Sequence, residues 1–492
     1  MIQPSSSLRP AFRLTFRTTA IAFLVAGAFF MQSIDATMIA TAMPAMARSF
    51  SVDAVDIGLG ISAYLLALAV LIPVSGWVAD RLGPRNVFAA AIVVFTLASI
   101  LCGSSHGLYS FVAARILQGA GGAMMVPVGR LVVLNNTPKE KLIGAIAALT
   151  WPALMAPVLG PPLGGLITVH FGWRWIFWVN VPLGIVAVAA AVLLIPGDTG
   201  NVKLPFDWLG FVLTGAAIVC LMCGAEMVSL KRVLWVRVIA LLSAGSVLML
   251  GAIRHLKRSE NPMVPLSALK VKTFAVTMYG GSLFRMSISA VPFVLPLMFQ
   301  MGFGFDPVHS GLLVMAVFAG NIAMKPATTP IMRRFGFKPV LITNGVLNAF
   351  LVLACVLITP SSSLFAVVAL LFAGGLTRSM QFTALNTLAF ADIERSEISG
   401  ANTLFSAAFQ LSWGMGVVLG AVSIRLADAG TRLIHGALSS SPGIDFRLSF
   451  VLLGIVSFLG IVDSAQLNRN AGEAVSKPPA RGDLVKSSSG GE

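Results

Sequence analysis

Gly76-Trp77-Val78-Ala79-Asp80-Arg81-Leu82-Gly83-Pro84-Arg85 is a short charged loop held between two long apolar runs. The second half of the chain repeats its plan. Arg333-Arg334-Phe335-Gly336-Phe337-Lys338 also lies between two apolar runs, and the same offset carries Gly121-Gly122 onto Gly374-Gly375. Two loops and two helices in one register argue for duplicated helical halves. Gly83 permits a tight turn. Asp80 ends one helix, and Arg81 and Arg85 stand where they can bridge to acids on neighbouring helices. Internal repeats of long apolar segments are a feature of transporter folds.

The composition fixes the environment. Of 492 residues, 57% are hydrophobic and 11% charged, and the mean hydropathy is +0.89. A soluble domain carries roughly 25% charged residues, so the chain reads as an all-α polytopic membrane protein. The net charge of +15 does not indicate nucleic acid, because the basic residues fall in short loops rather than in a stripe. About fourteen runs are long enough to span a bilayer, centred near Met31, Leu66, Phe95, Gly119, Leu154, Ile185, Ile218, Leu242, Ser287, Phe318, Leu347, Leu376, Leu411 and Leu453. Loops holding Arg81 and Arg85, Lys139 and Lys141, Lys203, Arg254 to Lys272, and Arg333 to Lys338 are richer in Lys and Arg than the alternate ones. That asymmetry predicts a multi-pass protein with both termini in the cytoplasm, in a bacterial inner membrane. The expected division is a cytoplasmic segment (1–18), a six-helix bundle (19–197), a two-helix insert (198–256), a second six-helix bundle (257–467) and a disordered tail (468–492), rich in Ser, Gly, Pro and Lys.

Two features invite other readings. Arg9, Arg13 and Arg17 precede an apolar run that ends near Ala45-Met46-Ala47, as in a signal peptide, but the run is too long for one and is expected to be an uncleaved first span. Cys220 and Cys223 form a CxxC without a second Cys/His pair, so no metal site is expected and the four cysteines read as span residues.

Asp35 lies near the middle of that first run. A carboxylate there is costly unless it faces a protein interior or a watery cavity, and intramembrane acids carry protons or balance charged ligands. In span four, Arg115, Gln118, Gly119 and Gly122 follow i, i+3, i+4, i+7 and share a face. A buried Arg115 needs an anion or, failing that, backbone carbonyls. In span five, Gly160 and Gly164 form a GxxxG contact beside Pro157 and Pro161, which kink the helix.

These motifs resemble those of the major facilitator superfamily, and together they cover the chain from about Thr19 to about Leu467. Gly76 to Arg85, with Gly83, is similar to the family's signature loop, which latches the two halves; Pro84 departs from the common pattern. Arg333, Arg334, Gly336 and Lys338 echo it. The segment from Arg115 to Gly122 resembles a motif that takes part in proton coupling, which implies that role for Asp35, Arg115 and Gln118. Ala156 to Gly165, with Pro157, Gly160, Pro161, Gly164 and Gly165, resembles the motif that marks antiporters. Ser33-Ile34-Asp35-Ala36-Thr37, Gly122 to Pro127 and Trp173 to Pro182 look like the fourteen-span drug:proton antiporter branch. The resemblance implies two six-helix bundles with two inserted central helices, and efflux of the multidrug-resistance type driven by the proton-motive force, without a cofactor. No phosphate-binding GxxxxGK[ST] occurs in the chain, which agrees with that expectation.

The second half is more individual. Arg285, Lys325 and Arg378 fall inside apolar runs. Pro292 and Pro296 follow Arg285, and Pro326 follows Lys325. Broken helices are where transporters place substrate, so a cavity is expected among Met31, Met38, Arg285, Asn321, Lys325, Arg378, Gln381 and Phe382. Asn321 and Lys325 share one face, as do Gly374, Gly375, Arg378, Gln381 and Phe382. Surplus positive charge favours an anionic or zwitterionic amphipathic substrate; in the plainer reading Lys325 reaches the cytoplasmic surface and Arg378 bonds carbonyls. The expected protein is a monomeric proton-coupled exporter of drugs, toxic metabolites or organic anions. Its partners would be protons, the small-molecule substrate, the lipid bilayer and a periplasmic adaptor. A facilitator or proton symporter for a small anion, a lipid-modifying enzyme and a sensor are the alternatives. The scattered histidines make the enzyme the poorest of them, and no soluble sensor domain is visible.

Overall fold

The computed structural model describes residues 8–52, 54–197, 205–228, 234–305, 307–435 and 443–476. Every element among them is helical. In chain order these are α1 (Leu8–Phe50), α2 (Ala54–Leu71), α3 (Ser75–Leu82), α4 (Pro84–Gly103), α5 (Leu108–Asn136), α6 (Leu142–His170), α7 (Trp175–Trp178), α8 (Asn180–Leu194), α9 (Trp208–Val228) and α10 (Trp235–Arg258). There follow α11 (Lys272–Met278), α12 (Gly280–Leu297), α13 (Pro307–Ala323), α14 (Lys325–Phe335), α15 (Phe337–Ala354), α16 (Leu364–Ala391), α17 (Ile398–His435), α18 (Ile444–Ala465) and α19 (Glu473–Ser476). All of the expected span centres fall in separate helices. Among the described residues twelve helices are long and apolar enough to cross a membrane, and thirteen when α13 and α14, bent by 49°, count as one span. The helix across Leu154, α6, contains residues whose side chains are not described.

The chain divides into two compact units, Met1–Phe211 with Ser259–Val264 and Ile398–Thr403, and Val212–Arg258 with Pro265–Glu397 and Leu404–Glu492. In the first unit α1 lies along α6, and α5 is packed between α2 and α4. Its core joins Ile34, Met38, Ile39, Ala42 and Met46 of α1 to Phe111, Ala114, Trp173, Ile176 and Phe177. Ala45, Met46 and Ala47 are helical, and the last two are buried. The second unit is built on Ala290, Val294, Leu295, Met298 and Phe299 packed against Phe450, Leu453, Val317 and Leu371. The inserted hairpin belongs to it: Ala225 of α9 and Val238 of α10 pack on Val418 and Ala421 of α17.

The repeated loops share a backbone device. Gly83 ends α3 at φ 85° and ψ 136°. Gly336 ends α14 at φ 76° and ψ 172°. Both conformations are close to glycine-only territory, where a side chain costs ~1–3 kcal/mol. Gly336→Ala is therefore expected to lower the thermal unfolding midpoint in detergent. Gly144→Ala, at a helical position where a new methyl group would meet nothing within 4 Å, is the neutral control.

The prolines act partly as expected. Span ten breaks at Met324, because Pro326 in the first turn of α14 offers no N–H to continue the ladder. Pro292 and Pro296 remain inside α12, and the disturbance follows them as a π-helical turn over Met298–Gly302. The first part of the stretch expected to be a tail, residues 468–476, is described. Glu473–Ser476 is helical, Val475 is buried, and Gly472 lies against the Phe337 ring. Residues 477–492 lie outside the described residues.

The loop arginines make other contacts than those expected. Among the described residues Arg81 and Arg85 form no ion pair; Arg81 lies over the Trp77 ring at 5.1 Å. Trp77 packs edge-on to Phe206 at 4.9 Å. Phe206 leads into α9, whose start is fixed by Asp207, a carboxylate that accepts from Gly210 N at 2.8 Å and Met263 N at 3.2 Å. In the repeat, Arg334 lies over Phe335 at 5.5 Å, and Lys338 Nζ donates to the Leu467 carbonyl at 2.7 Å. Aromatic faces and carbonyls take the place of the acids.

Candidate functional site

Asp35 is fully buried, on the face of α1 turned toward α4, α5 and α8. Arg115 Nη1 donates to Asp35 Oδ2 at 2.7 Å, and both side chains have 0% exposure. Gln118 Nε2 donates to Oδ1 at 3.1 Å, and Asn180 Nδ2 donates to the same oxygen at 2.9 Å. Three donors thus hold one carboxylate. Arg115 Nη1 also donates to Gln118 Oε1. Ser99 Oγ accepts from Gln118 Nε2 at 2.8 Å and from Asn180 Nδ2 at 3.3 Å, and donates to the Phe95 carbonyl at 2.9 Å.

Glycines bring these helices together. A methyl group on Gly119 would meet the Tyr64 carbonyl oxygen at 2.6 Å, and one on Gly121 the Phe95 nitrogen at 2.7 Å. α5 therefore touches α2 and α4 backbone to backbone, one turn from Arg115 and Gln118. Gly184 of α8 seats on the Thr96 side chain of α4, which sets Asn180 against Ser99 one turn along. The aromatic turn before α8 anchors its start. Trp173 packs edge-on to Phe50 at 5.3 Å, and Phe177 packs on Phe111 at 5.8 Å. The Arg115 guanidinium lies over the Tyr64 ring at 4.3 Å and near Phe177 at 6.0 Å. These π-faces meet a cation whose Nε and Nη2 have no hydrogen-bond partner.

The structure thus joins Asp35, Arg115 and Gln118, and pairs Arg115 with a carboxylate rather than with carbonyls. Sequence reading gave no role to Asn180, Ser99 and Tyr64. Asn180 sat within the Trp173–Pro182 stretch, and its signal was an amide at the head of an apolar run. Ser99 offered none, since a serine in an apolar helix is ordinary.

The antiporter-like helix packs directly on the same α1. A methyl group on Gly160 would overlap Thr37 Oγ1, and one on Gly164 would meet the Met38 carbonyl oxygen at 2.8 Å. Gly165 faces open space. The side chains of Pro157 and Pro161 lie outside the described residues.

The expected cavity residues are distributed over both units. Met31 and Met38 are buried inside the first unit, and Met38 belongs to its apolar core. In the second unit, Arg285 Nη2 donates to the Thr277 carbonyl at 2.9 Å, and its guanidinium lies over Phe405 at 5.1 Å and Phe409 at 5.8 Å. Lys325 is 8% exposed and donates to Thr383 Oγ1 at 2.9 Å, so it does not reach out to the surface. Asn321 is fully buried with neither side-chain polar atom bonded. Arg378 lies over Trp413 at 5.8 Å rather than on carbonyls, and its Nη1 has no hydrogen-bond partner.

The shared face proposed for span twelve splits. Gly375 closes on α13 at the Val317 carbonyl. Gln381 turns to α15, donating to Leu341 O at 3.1 Å and accepting from Asn344 at 3.0 Å. Phe382 packs on Phe409 of α17 at 5.8 Å. At about 100° per residue these positions cover roughly a third of the helix circumference over two turns, wide enough to meet three neighbours. Of the eight expected residues, Arg378 lines a small cavity inside the second unit, with Asn348, Gly374 and apolar side chains. That cavity holds ≈ 30 Å³, room for about two waters and far short of a drug-sized ligand. Glu226 is exposed near the end of α9. Among the described residues no group of His, Cys, Asp and Glu is arranged to hold a metal ion.

Comparison with known proteins places this geometry. The family model described as Major Facilitator Superfamily matches residues 25–417 and 277–486. The chain is 35% identical over 404 residues to the putative multidrug resistance protein MdtD of Pectobacterium carotovorum subsp. carotovorum (strain PC1), covering 82% of this chain and 86% of that protein. It is 33% identical over 464 residues to the protein of the same name from Serratia proteamaculans (strain 568), covering 94% and 96%. Among solved structures, the human organic anion transporter MFSD10 (TETRAN) superposes with a TM-score of 0.63 at 12% identity, covering 91% of this chain and 99% of that one. The proton:xylose symporter XylE gives 0.60 at 13% identity, covering 93% and 97%. At such identities these two likenesses speak to the fold alone.

Proposed function

The chain belongs to the major facilitator superfamily, as a multi-pass membrane transporter of small molecules, and from that premise we propose that it is a proton-coupled antiporter. It exports small amphipathic compounds, among them drugs, toxic metabolites and organic anions, from the cytoplasm by alternating access. The observation that carries this reading is Asp35, a carboxylate sealed in a membrane-spanning helix and held by Arg115, Gln118 and Asn180. A proton on Asp35 cancels the charge that Arg115 binds. That change frees the helices on which the two residues sit, and release of the proton restores the pair. Protonation from outside, reorientation, and proton release to the cytoplasm in competition with substrate then make one cycle. The proton-motive force drives it without a cofactor. The relatives' designation as multidrug resistance proteins supports the direction of transport. The buried Arg285, Lys325 and Arg378 support an anionic or zwitterionic cargo. The protein works as a monomer in a bacterial inner membrane with both termini in the cytoplasm, and an adaptor carries its product onward.

The test uses energised inside-out vesicles and a panel of anionic, zwitterionic and cationic compounds. A transported compound is expected to dissipate the proton gradient in wild type and not in Asp35→Asn. Dissipation by cations alone removes the charge argument and leaves antiport. Proton movement in the same direction as substrate replaces antiport by symport. An unchanged response in Asp35→Asn removes Asp35 from coupling.

A further inference from the structure

We infer that Asn180 is a positioning residue that reads the protonation state of Asp35 by turning its side-chain amide; this rests on the proposal that Asp35 takes up a proton. The argument starts from what each partner can do. A carboxylate only accepts hydrogen bonds, and a carboxylic acid must donate one. While Asp35 is ionised, the amide edge that Asn180 presents at 2.9 Å has to be its NH2. Once Asp35 carries a proton, its O–H needs an acceptor inside a sealed cluster, since an unmet buried donor is costly.

The titratable groups facing the cluster are Arg115 from α5, Tyr64 from α2, which lies under that guanidinium, and Cys102 from α4, whose Sγ is 3.7 Å from Gln118 Oε1. Arg115 has no acceptor to give. Gln118 Oε1 already accepts from Arg115 Nη1, and turning that amide would set its NH2 against the guanidinium. Ser99 Oγ receives two N–H donors and gives its own proton to Phe95 O. Among the residues bonded to Asp35, Asn180 Oδ1 is the remaining acceptor, buried and without a partner.

The step balances with one proton. An O–H bond forms on Asp35 Oδ1, and the hydrogen bond from Asn180 Nδ2 to that oxygen breaks. The amide makes a half-turn about Cβ–Cγ, and Asn180 Oδ1 accepts the new O–H. The Ser99 hydroxyl can leave Phe95 O and donate to the same Oδ1. Gln118 and Arg115 stay paired. The Asn180 side chain, at the start of α8, thereby switches between two hydrogen-bonded states, each satisfied at Asp35.

Difference infrared spectra of the full-length wild-type protein in lipid, taken across a pH step, test this without a substitution. The expected result is a carboxylic-acid band that is lost in Asp35→Asn, accompanied by a downshift of an amide carbonyl band assigned to asparagine by ¹³C labelling. In Asn180→Leu, which keeps the volume and removes both polar atoms, the acid band moves to higher frequency, as for an O–H without an acceptor. An Asp35 acid band with no asparagine band beside it, and no shift in Asn180→Leu, overturns the role of Asn180 and leaves proton uptake standing. Absence of any Asp35 acid band overturns both.

Discussion

Asp35→Ala is expected to lose gradient-driven export altogether and to lose ~3–5 kcal/mol of stability, because breaking a buried pair leaves a buried charge uncompensated. The abandoned partner is Arg115, at 0% exposure, and the Tyr64 ring at 4.3 Å replaces little of a full counter-charge. Asp35→Asn also abolishes coupling but keeps an acceptor for Arg115, so its thermal midpoint should lie between wild type and Asp35→Ala. The double variant Asp35→Leu/Arg115→Met separates the two roles. Exchanging a whole buried pair for apolar side chains of similar volume is neutral or stabilising. That protein should therefore recover most of the stability while transport stays at background. The measurements are thermal unfolding in detergent and gradient dissipation in vesicles. If the double variant transports, the pair serves folding alone. If it remains as unstable as Asp35→Ala, the charges are not each other's main partners.

Much of this arrangement was legible before any coordinates. Asp35 stands out because a carboxylate in an apolar run has to be explained, and Arg115 with Gln118 because helical spacing puts them on one face. Gly83 and Gly336 announce their turns, since little else adopts those backbone angles. What escaped was whatever depends on helix rotation. Asn180 and Ser99 join the cluster only because Gly184 seats on Thr96, a register that one sequence does not display. Gly375, Gln381 and Phe382 looked like a common face, and neighbouring helices divide them. Arg81 was expected to find an acid, yet the ring of Trp77, one helical turn earlier, takes its guanidinium plane, as Phe335 takes that of Arg334. Charge patterns name the residues that need partners. They do not choose among a carboxylate, a carbonyl and a ring, because all three attract a cation.

Gly160→Ala is expected to impair export strongly and to cost ~1–3 kcal/mol, the usual toll of overfilling a close helix contact. The new methyl group would overlap Thr37 Oγ1 and lie 2.7 Å from Thr37 Cβ, with the Thr37 carbonyl carbon at a tolerable 3.4 Å. The obstacle is thus almost wholly a side chain, two residues from Asp35. Thr37→Gly in the same protein removes both atoms and should restore the thermal midpoint, less the ~1 kcal/mol that a helical glycine costs. Gly164→Ala behaves differently. Its methyl group would meet the Met38 carbonyl oxygen at 2.8 Å and the Met38 Cα at 3.0 Å. These are backbone atoms, so Thr41→Ala should not rescue it although Thr41 Oγ1 lies closer. Rescue at Gly160 together with failure at Gly164 would mean that the glycines act by fitting α6 onto the helix that carries Asp35. Stability regained at Gly160 without export would mean something further: the small residues are needed while α1 moves against α6, because a contact that fits at rest can still block the slide between two packed arrangements.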